Sequence, residues 1–265
     1  MYRFDYQRPA SRDAALAAFE GDARYLAGGQ SLVQAMKLRM SASERLVDLG
    51  GIADLAGIRA EPGAVVVGAM ARHADVAASP AVRAALPALA ELAEGIGDPA
   101  VRSMGTLGGA LANADPAACY PAAVLALGAT VRTDRREIAA GDFFTGIYQT
   151  ALEPGELITE VVFPAVRRAA YAKLRQPASR FALVGVFVAQ VPDGVRVAVT
   201  GARASVYREP ALEAALTARF EPGALAGTRL DAQDLQADLH ASADYRAAMI
   251  VTMTARAVER ALARG

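Results

Sequence analysis

The sequence predicts an α+β protein. Two turn signals between apolar runs, at 61–63 and 192–194, are typical of β-hairpins. A stretch with helical spacing at 245–264 follows the later strands, which predicts a C-terminal sheet covered by helices. The 265 residues, 54% of them apolar, suffice for one large domain or two to three small ones.

Cap and turn residues place the elements of the first 164 residues. Ser11 can cap a helix that runs to about Phe19, and Ser79-Pro80 starts a helix that runs to Gly95. The other predicted elements are strands at 24–27, 45–49 and 157–163, helices at 31–40 and 116–127, and hairpins that join 57–60 to 64–69 and 129–133 to 137–140.

A different pattern follows residue 164. Residues 164–168 are typical of a linker to a second unit. Beyond it, the sequence predicts strands at 171–175, 182–191 and 195–201, and helices at 210–217, 232–238 and 245–264.

Composition excludes several classes of function. The formal net charge is zero, so charge implies no nucleic-acid partner. One cysteine and two distant histidines, His73 and His240, leave no disulfide framework and no ligand set for zinc or an iron–sulfur cluster. No apolar run is long enough to span a membrane, and the first residues lack a hydrophobic signal core. We therefore expect a cytoplasmic protein.

Two glycine pairs are the main functional signal. The stretches 27–31 (AGGQS) and 106–109 (TLGG) allow positive φ and close approach of the backbone to a ligand. Successive N–H groups, with a helix N-terminus behind them, form an anion site. One such stretch alone favours a tight strand-to-helix turn, but two can hold both phosphates of a pyrophosphate. The Rossmann spacing G-x-G-x-x-G is absent, which favours a dinucleotide site on another fold.

Lysine is rare in this arginine-rich chain. Only Lys37 and Lys173 are present, and a retained lysine can mark a place that needs a compact ammonium. For each lysine taken alone, retention by chance is an equally good explanation. We interpret Lys37 as a solvated residue on a helix face.

Several longer segments together resemble one family. They are AGGQSLVQAMKLRM, ARHADVAASP, VRSMGTLGGALANADPAACYPA, GDFFTGIYQTALEPGELITEVVFP, YAKLRQPASRFALVG and DLHASADYRAAMIVTMTARAVERAL. In this order they resemble the FAD-binding medium subunit of molybdenum hydroxylases, the group of xanthine dehydrogenase and aerobic carbon monoxide dehydrogenase. The resemblance covers nearly the whole chain.

The resemblance implies a fold and a role. The fold is a vanillyl-alcohol-oxidase-type (PCMH-type) FAD-binding domain at 1–164, with subdomains at about 1–55 and 56–164, and a C-terminal domain at 165–265 like that of carbon monoxide dehydrogenase flavoproteins. The role is an electron-transfer subunit that passes electrons from 2Fe-2S clusters to an external acceptor. The implied partners are a small 2Fe-2S subunit and a large molybdopterin subunit, in a heterotrimer or its dimer.

The resemblance also implies site residues. One side of the pyrophosphate site comprises Ala27, Gly28, Gly29, Gln30, Ser31 and Leu32, and the other comprises Thr106, Gly108, Gly109 and Asn113, with Asp115 and Cys119 nearby. Lys173 matches a lysine at the flavin pyrimidine edge, where a positive charge stabilises the reduced ring. Phe181 matches an aromatic that can shield the ring, although an ordinary core aromatic is the alternative. His73 and His240 are expected to be structural, and no catalytic base or nucleophile is expected.

Two positions depart from the family pattern. Ala110 replaces a polar residue, and Cys119 replaces an acidic residue that contacts the ribityl chain. Each change removes a hydrogen bond worth about 0.5–1.5 kcal/mol. We therefore expect FAD to bind about tenfold more weakly or worse. Two other functions stay open: a stand-alone flavin oxidoreductase of the same fold, similar to enolpyruvyl reductase, and an assembly subunit that has lost its flavin.

Overall fold

The computed structural model describes residues 1–264 and contains both helices and strands in four sheets. The strands are β1 (Asp5–Gln7), β2 (Ala23–Leu26), β3 (Arg45–Asp48), β4 (Ile58–Glu61), β5 (Ala64–Gly68), β6 (Thr130–Thr133), β7 (Glu137–Ala139), β8 (Phe144–Gly146), β9 (Gln149–Thr150), β10 (Ile158–Pro164), β11 (Arg168–Arg175), β12 (Ala182–Val191), β13 (Gly194–Thr200) and β14 (Tyr207–Arg208). The helices are α1 (Arg12–Ala18), α2 (Leu32–Lys37), α3 (His73–Ala78), α4 (Pro80–Ala85), α5 (Pro87–Glu94), α6 (Pro99–Met104), α7 (Leu107–Asn113), α8 (Tyr120–Leu127), α9 (Ala140–Phe143), α10 (Pro210–Ala218) and α11 (Ala243–Leu262). Short 3₁₀ turns lie at Leu49–Gly51, Ala53–Leu55 and Pro222–Leu225.

The first sheet is parallel and has the strand order β1-β3-β2. Its small core contains Ala15, Val47 and Ile52, all buried. Because the strands are parallel, their carboxyl ends share one edge. The residues that follow all three strands, including the first glycine pair, therefore meet at that edge.

The second sheet is antiparallel, with the order β4-β5-β10-β6-β7. Alternate residues of β5 and β10, such as Val65, Val161 and Phe163, face the largest buried core of the protein. Helix α8 has the sequence YPAAVLAL and is apolar on every side, so it lies inside this core. Helix α7 packs against the same sheet.

The third sheet has the order β11-β12-β13-β14 and is covered by α10 and α11. Apolar residues at helical spacing on α11, among them Ile250, Met253 and Ala257, pack against β11 and β12, and α10 packs against β13. The predicted C-terminal sheet covered by helices is confirmed. Strands β8 and β9 form a separate small hairpin.

Several predicted elements differ from the structure. The helix expected at 79–95 is two helices, because Pro87 lacks an N–H and starts a new first turn. The helix expected at 31–40 ends at Lys37, shortly before Arg39 with its φ of 59°. The helix expected at 116–127 begins only at Tyr120.

The predicted helix at 232–238 is wrong. This segment contains turns, and the Asp231 carboxylate accepts a hydrogen bond from the Gln233 amide in place of a helical bond. No helix within residues 1–264 combines the length and the apolar character that crossing a bilayer requires. The prediction of domain limits near residues 55 and 164 stays a prediction.

Candidate functional site

The first glycine pair lies between β2 and α2 at the carboxyl edge of the parallel sheet. Gly29 has a φ of +69°, which favours glycine. The N–H groups of Gly28, Gly29, Gln30 and Ser31 donate to no acceptor within residues 1–264. The Ser31 hydroxyl makes no capping bond to α2 either. Four consecutive free amides are the donor set of an anion site.

The local structure at the second glycine pair differs from the one that the sequence predicts. Helix α7 begins before the pair, at Leu107, with Thr106 as its cap. The Gly108 amide donates to the Ala69 carbonyl at 2.8 Å, and the Gly109 amide donates to the Thr106 hydroxyl at 3.1 Å. Both amides therefore already donate hydrogen bonds within the protein. A methyl group on Gly108 would lie 2.6 Å from the Ala69 Cβ, so this glycine allows α7 to approach β5.

The two stretches nevertheless face each other. A methyl group on Gly28 would lie 2.1 Å from the Met104 carbonyl oxygen. One on Gly109 would lie 3.3 Å from the Ala27 Cβ. Gly28 is thus required by the close approach of the two stretches, whereas a Cβ on Gly109 would first meet the Thr106 hydroxyl, at 2.8 Å.

A cavity of about 500 Å³ opens where these stretches meet. Of the predicted residues, Ala27, Gly28, Gly29 and Thr106 line it. Gln30, Ser31 and Leu32 follow on the same stretch, whereas Gly108, Gly109 and Asn113 lie along α7 outside the lining.

Charged residues in the lining escaped the sequence-based prediction. They are Arg8, Asp48, Arg72 and Asp75. Arg8 and Asp48 lie at the ends of β1 and β3, and the Asp48 carboxylate accepts hydrogen bonds from the Tyr6 hydroxyl and the Gly50 amide. Arg8 and Asp48 lie near the glycines only because the strands end at the same sheet edge. Strand β1 has three residues, which are too few to show a periodic pattern that predicts this edge.

A second cluster of predicted residues lies against β11. The Lys173 Nζ donates to the Gly95 carbonyl at 2.9 Å, to the Arg180 carbonyl at 3.1 Å and to the Cys119 Sγ at 3.3 Å. The nearby Phe181 side chain is 46% exposed, so the interpretation as a core aromatic is wrong. Lys173, Cys119 and Phe181 are therefore brought together at one place.

The segment 114–119 joins this cluster to α7. Ala114 has a φ of 46° and ends α7, and the Asp115 carboxylate accepts a hydrogen bond from the Ala117 amide at 2.8 Å. The Thr200 Oγ1 lies 2.5 and 2.7 Å from the Pro116 and Ala118 carbonyl oxygens and shares its one proton between them, which holds the segment against β13. These bonds explain why α8 begins later than predicted.

Neither histidine has a catalytic environment. His73 is buried at the start of α3, and burial, followed by the charge of Arg102, lowers the pKa of its imidazole to about 4. The ring is therefore neutral near pH 7 and packs beside Tyr120. His240 lies in an exposed turn. Within residues 1–264 no group of histidine, cysteine and acidic side chains could hold a metal ion.

Comparison with known proteins decides the family. Residues 2–166 match the model of the FAD binding domain in molybdopterin dehydrogenase. The carbon monoxide dehydrogenase medium chain of Hydrogenophaga pseudoflava is 37% identical, over 99% of this chain and 98% of that one. This chain belongs to the FAD-binding medium subunits of the molybdenum hydroxylase family. The predicted family, the oxidoreductase class and FAD as the cofactor are confirmed.

Other relatives of this medium subunit extend the likeness. The nicotine 6-hydroxylase medium subunit of Paenarthrobacter nicotinovorans is 34% identical, over 98% of this chain and 97% of that one. The reconstituted CO dehydrogenase from Oligotropha carboxidovorans superposes with a TM-score of 0.91 at 35% identity, covering 100% and 99% of the two chains. Quinoline 2-oxidoreductase from Pseudomonas putida 86 gives 0.90 at 28% identity, covering 99% and 98%. The predicted α+β, PCMH-type fold is thereby confirmed.

Proposed function

We propose that this medium subunit transfers electrons within a molybdopterin-dependent hydroxylase or dehydrogenase. It accepts them from 2Fe-2S clusters on a small partner subunit and passes them to an external acceptor, while a large subunit carries the molybdopterin cofactor. The relatives support this, since they are named as medium chains or subunits of dehydrogenases and hydroxylases. One solved relative is described as lacking the Mo-pyranopterin moiety of its molybdenum cofactor. We further propose a heterotrimer, or its dimer, in the cytoplasm.

The free amides of residues 28–31 are the observation on which the binding mode rests. In this proposal they donate to the FAD pyrophosphate, and the Ser31 hydroxyl adds a further donor. Thr106 and the N-terminal end of α7 close the site from the other side, with Gly108, Gly109 and Asn113 on that helix. The cavity between the stretches and the unused amides of residues 28–31 support an extended dinucleotide as the ligand.

The cluster around Lys173 fits the ring end of the same cofactor. Bound FAD supplies reversible uptake and release of electrons. The Lys173 ammonium stabilises negative charge that arrives at the pyrimidine edge, and the exposed Phe181 ring excludes water from one face. Asp115 and Cys119 lie between this cluster and α7, beside the path that the ribityl chain takes in this arrangement.

The two departures from the family pattern act on this arrangement. Ala110 lies on α7 and offers no side-chain donor or acceptor. The Cys119 sulfur contacts the Lys173 ammonium, where an acidic residue would form a stronger, charge-assisted bond. We therefore propose that FAD is bound more weakly than in relatives with polar residues at both positions.

Substitution of Gly29 tests the pyrophosphate site. We expect Gly29→Val to weaken FAD binding at least tenfold, because valine disfavours a φ of +69° and its Cβ would lie 3.0 Å from the Val33 side chain. Fluorescence titration with FAD measures the affinity. The control is Gly141→Val, whose added atoms meet nothing within 4 Å and which should bind FAD as the wild type does. Unchanged affinity in a folded Gly29→Val protein would refute the assignment.

Assembly with partner subunits tests the role. We expect this chain to copurify with an iron–sulfur subunit and a molybdopterin subunit, and its flavin to be reduced when substrate reaches the molybdenum subunit. Turnover of a small substrate by this chain alone would favour the stand-alone oxidoreductase. A stable complex without flavin would favour the assembly subunit.

A further inference from the structure

The only cysteine of the protein is in contact with one of its only two lysines. Cys119 is 6% exposed, and its Sγ lies 3.3 Å from the Lys173 Nζ. An ammonium has three donors and no acceptor, and the other two donors of Lys173 are held by the Gly95 and Arg180 carbonyls. The nitrogen is therefore fixed against the sulfur.

A free hydroxyl lies beside the same sulfur. Tyr171 precedes Lys173 by two residues on β11, so both side chains are on one face of the sheet. The Tyr171 side chain is buried, at 8% exposure, and its hydroxyl makes no hydrogen bond. Burial, and then the neighbouring Cys119, raise its pKa well above the ordinary value. This unpartnered hydroxyl can donate to an oxygen atom carried by the sulfur.

We propose that Cys119 and Lys173 form a covalent cross-link when hydrogen peroxide oxidises the thiol. In the first step the sulfur attacks one peroxide oxygen, the O–O bond breaks, and a sulfenic acid and one water result. The sulfur loses two electrons and the peroxide gains them. The Tyr171 hydroxyl hydrogen-bonds to the sulfenic oxygen.

The second step joins the two side chains. The Lys173 ammonium first gives one proton to solvent, because only the neutral amine has a lone pair. The amine nitrogen then attacks the sulfenic sulfur, the S–N bond forms and the S–O bond breaks. The ammonium thus gives up two protons in all: one combines with the departing hydroxide as water, and the other goes to solvent. The sulfur lone pair can then attack a second peroxide: an S–O bond forms, the O–O bond breaks, water leaves, and the sulfur bonded to nitrogen carries one oxygen. Two equivalents of a thiol reductant cleave the S–N bond of the unoxygenated cross-link. The products are the free cysteine, the free amine and a disulfide of the reductant.

The cross-link has a consequence for the site. It joins segment 114–119 to β11 and removes the positive charge of Lys173. The chain therefore contains a switch that peroxide closes and thiols open. The cross-link forms within this chain alone, so its formation can be tested on flavin-free protein. The result of that test does not depend on whether the proposed function is correct.

Tryptic mapping tests the bond. Trypsin cleaves after Lys173 only when its amine is free, so the cross-linked product is peptide 103–132 joined to the uncleaved peptide 169–175. After peroxide treatment we expect this species, about 2 Da lighter than its two parts, or about 14 Da heavier where oxygen is retained. Dithiothreitol should abolish the lighter species. Sulfenic, sulfinic or sulfonic acid on peptide 103–132 with normal cleavage after Lys173 would overturn the proposal, as would an unreacted Cys119.

The variants sharpen the test. Cys119→Ser and Lys173→Arg should each abolish the cross-link, whereas Lys37→Arg, which removes the other lysine, should leave its yield unchanged. Tyr171→Phe should slow its formation several-fold. A cross-link that persists in Lys173→Arg would assign the bond to another amine and contradict the proposal.

Discussion

At the residue scale, Lys173 shows how the fold restrains a functional charge. Two backbone carbonyls and one sulfur occupy its donors, so the ammonium lies at the surface of β11 in one orientation. An acidic residue at position 119 would bind the ammonium more strongly than a thiol does. In the proposed binding mode, Cys119 therefore leaves more of the lysine's charge available to the ring end of the cofactor.

His73 makes stability depend on pH. Its folded pKa of about 4 lies below the ordinary value of 6.5, so between these values the unfolded chain binds a proton that the folded protein does not. The free energy of unfolding should therefore fall as pH drops from about 6.5 to about 4, by up to roughly 3 kcal/mol. Urea denaturation across this range measures the slope.

His73→Gln provides the comparison for this prediction. It should flatten the slope between pH 6.5 and 4, because glutamine does not titrate there. His240→Gln changes an exposed residue and should keep the wild-type slope. An unchanged slope in His73→Gln would show that other groups cause the acid dependence.

Some single residues could be predicted from sequence, and others could not. The glycines at 28 and 29 were predictable as a binding element only beside the second pair, because one adjacent pair also fits a tight turn. Arg8 could not be predicted, because it reaches the cavity only through the pairing of the short strand β1 with β3. Whether the Gly108 and Gly109 amides donate hydrogen bonds within the protein depends on where α7 begins. The sequence does not fix that position to within several residues.

At the element scale, the contact of α7 with β5 depends on Gly108. We expect Gly108→Val to destabilise the protein by about 1–3 kcal/mol, because the new Cβ would lie 2.6 Å from the Ala69 Cβ and 2.9 Å from its carbonyl oxygen. Urea denaturation measures the change. Ala112→Val, at an exposed position of the same helix, is the matched control and should cost much less. Equal losses in both would refute this packing role.

Helix α11 is attached to the third sheet by one buried arginine. The Arg246 guanidinium donates to the Leu183 and Gly201 carbonyls at 2.6 and 2.7 Å and pairs with Asp238 at 2.7 Å. We expect Arg246→Met to cost about 2–4 kcal/mol, since it leaves these carbonyls without a donor. Thermal and urea unfolding measure this loss. Arg256→Met, at an exposed position of α11, should change stability by less than about 0.5 kcal/mol, and a similar loss there would contradict the role.

Long, strongly patterned elements were predictable and short ones were not. The apolar stripe of α11 and the hairpin of β12 with β13 carry enough residues to show their periodicity. Helix α6 has six residues and was missed. The segment at 232–238 has helix-forming residues, but aspartates bind its backbone locally.

At the scale of the whole molecule, the proposed binding mode draws on three sheets. The edge of the parallel sheet supplies the free amides, the second sheet positions α7, and the third sheet presents Lys173 and holds segment 114–119. The resemblance predicted which residues take part in this binding mode, whereas residue patterns alone predicted only a dinucleotide site. The reason is that the contacts between sheets join residues far apart in the chain.

An experimental structure of this chain with FAD tests the central claim most directly. We predict that pyrophosphate oxygens accept hydrogen bonds from the amides of residues 28–31, with the flavin ring beside Lys173 and Phe181. Pyrophosphate bound away from residues 28–31, or a ring remote from Lys173, would contradict the account.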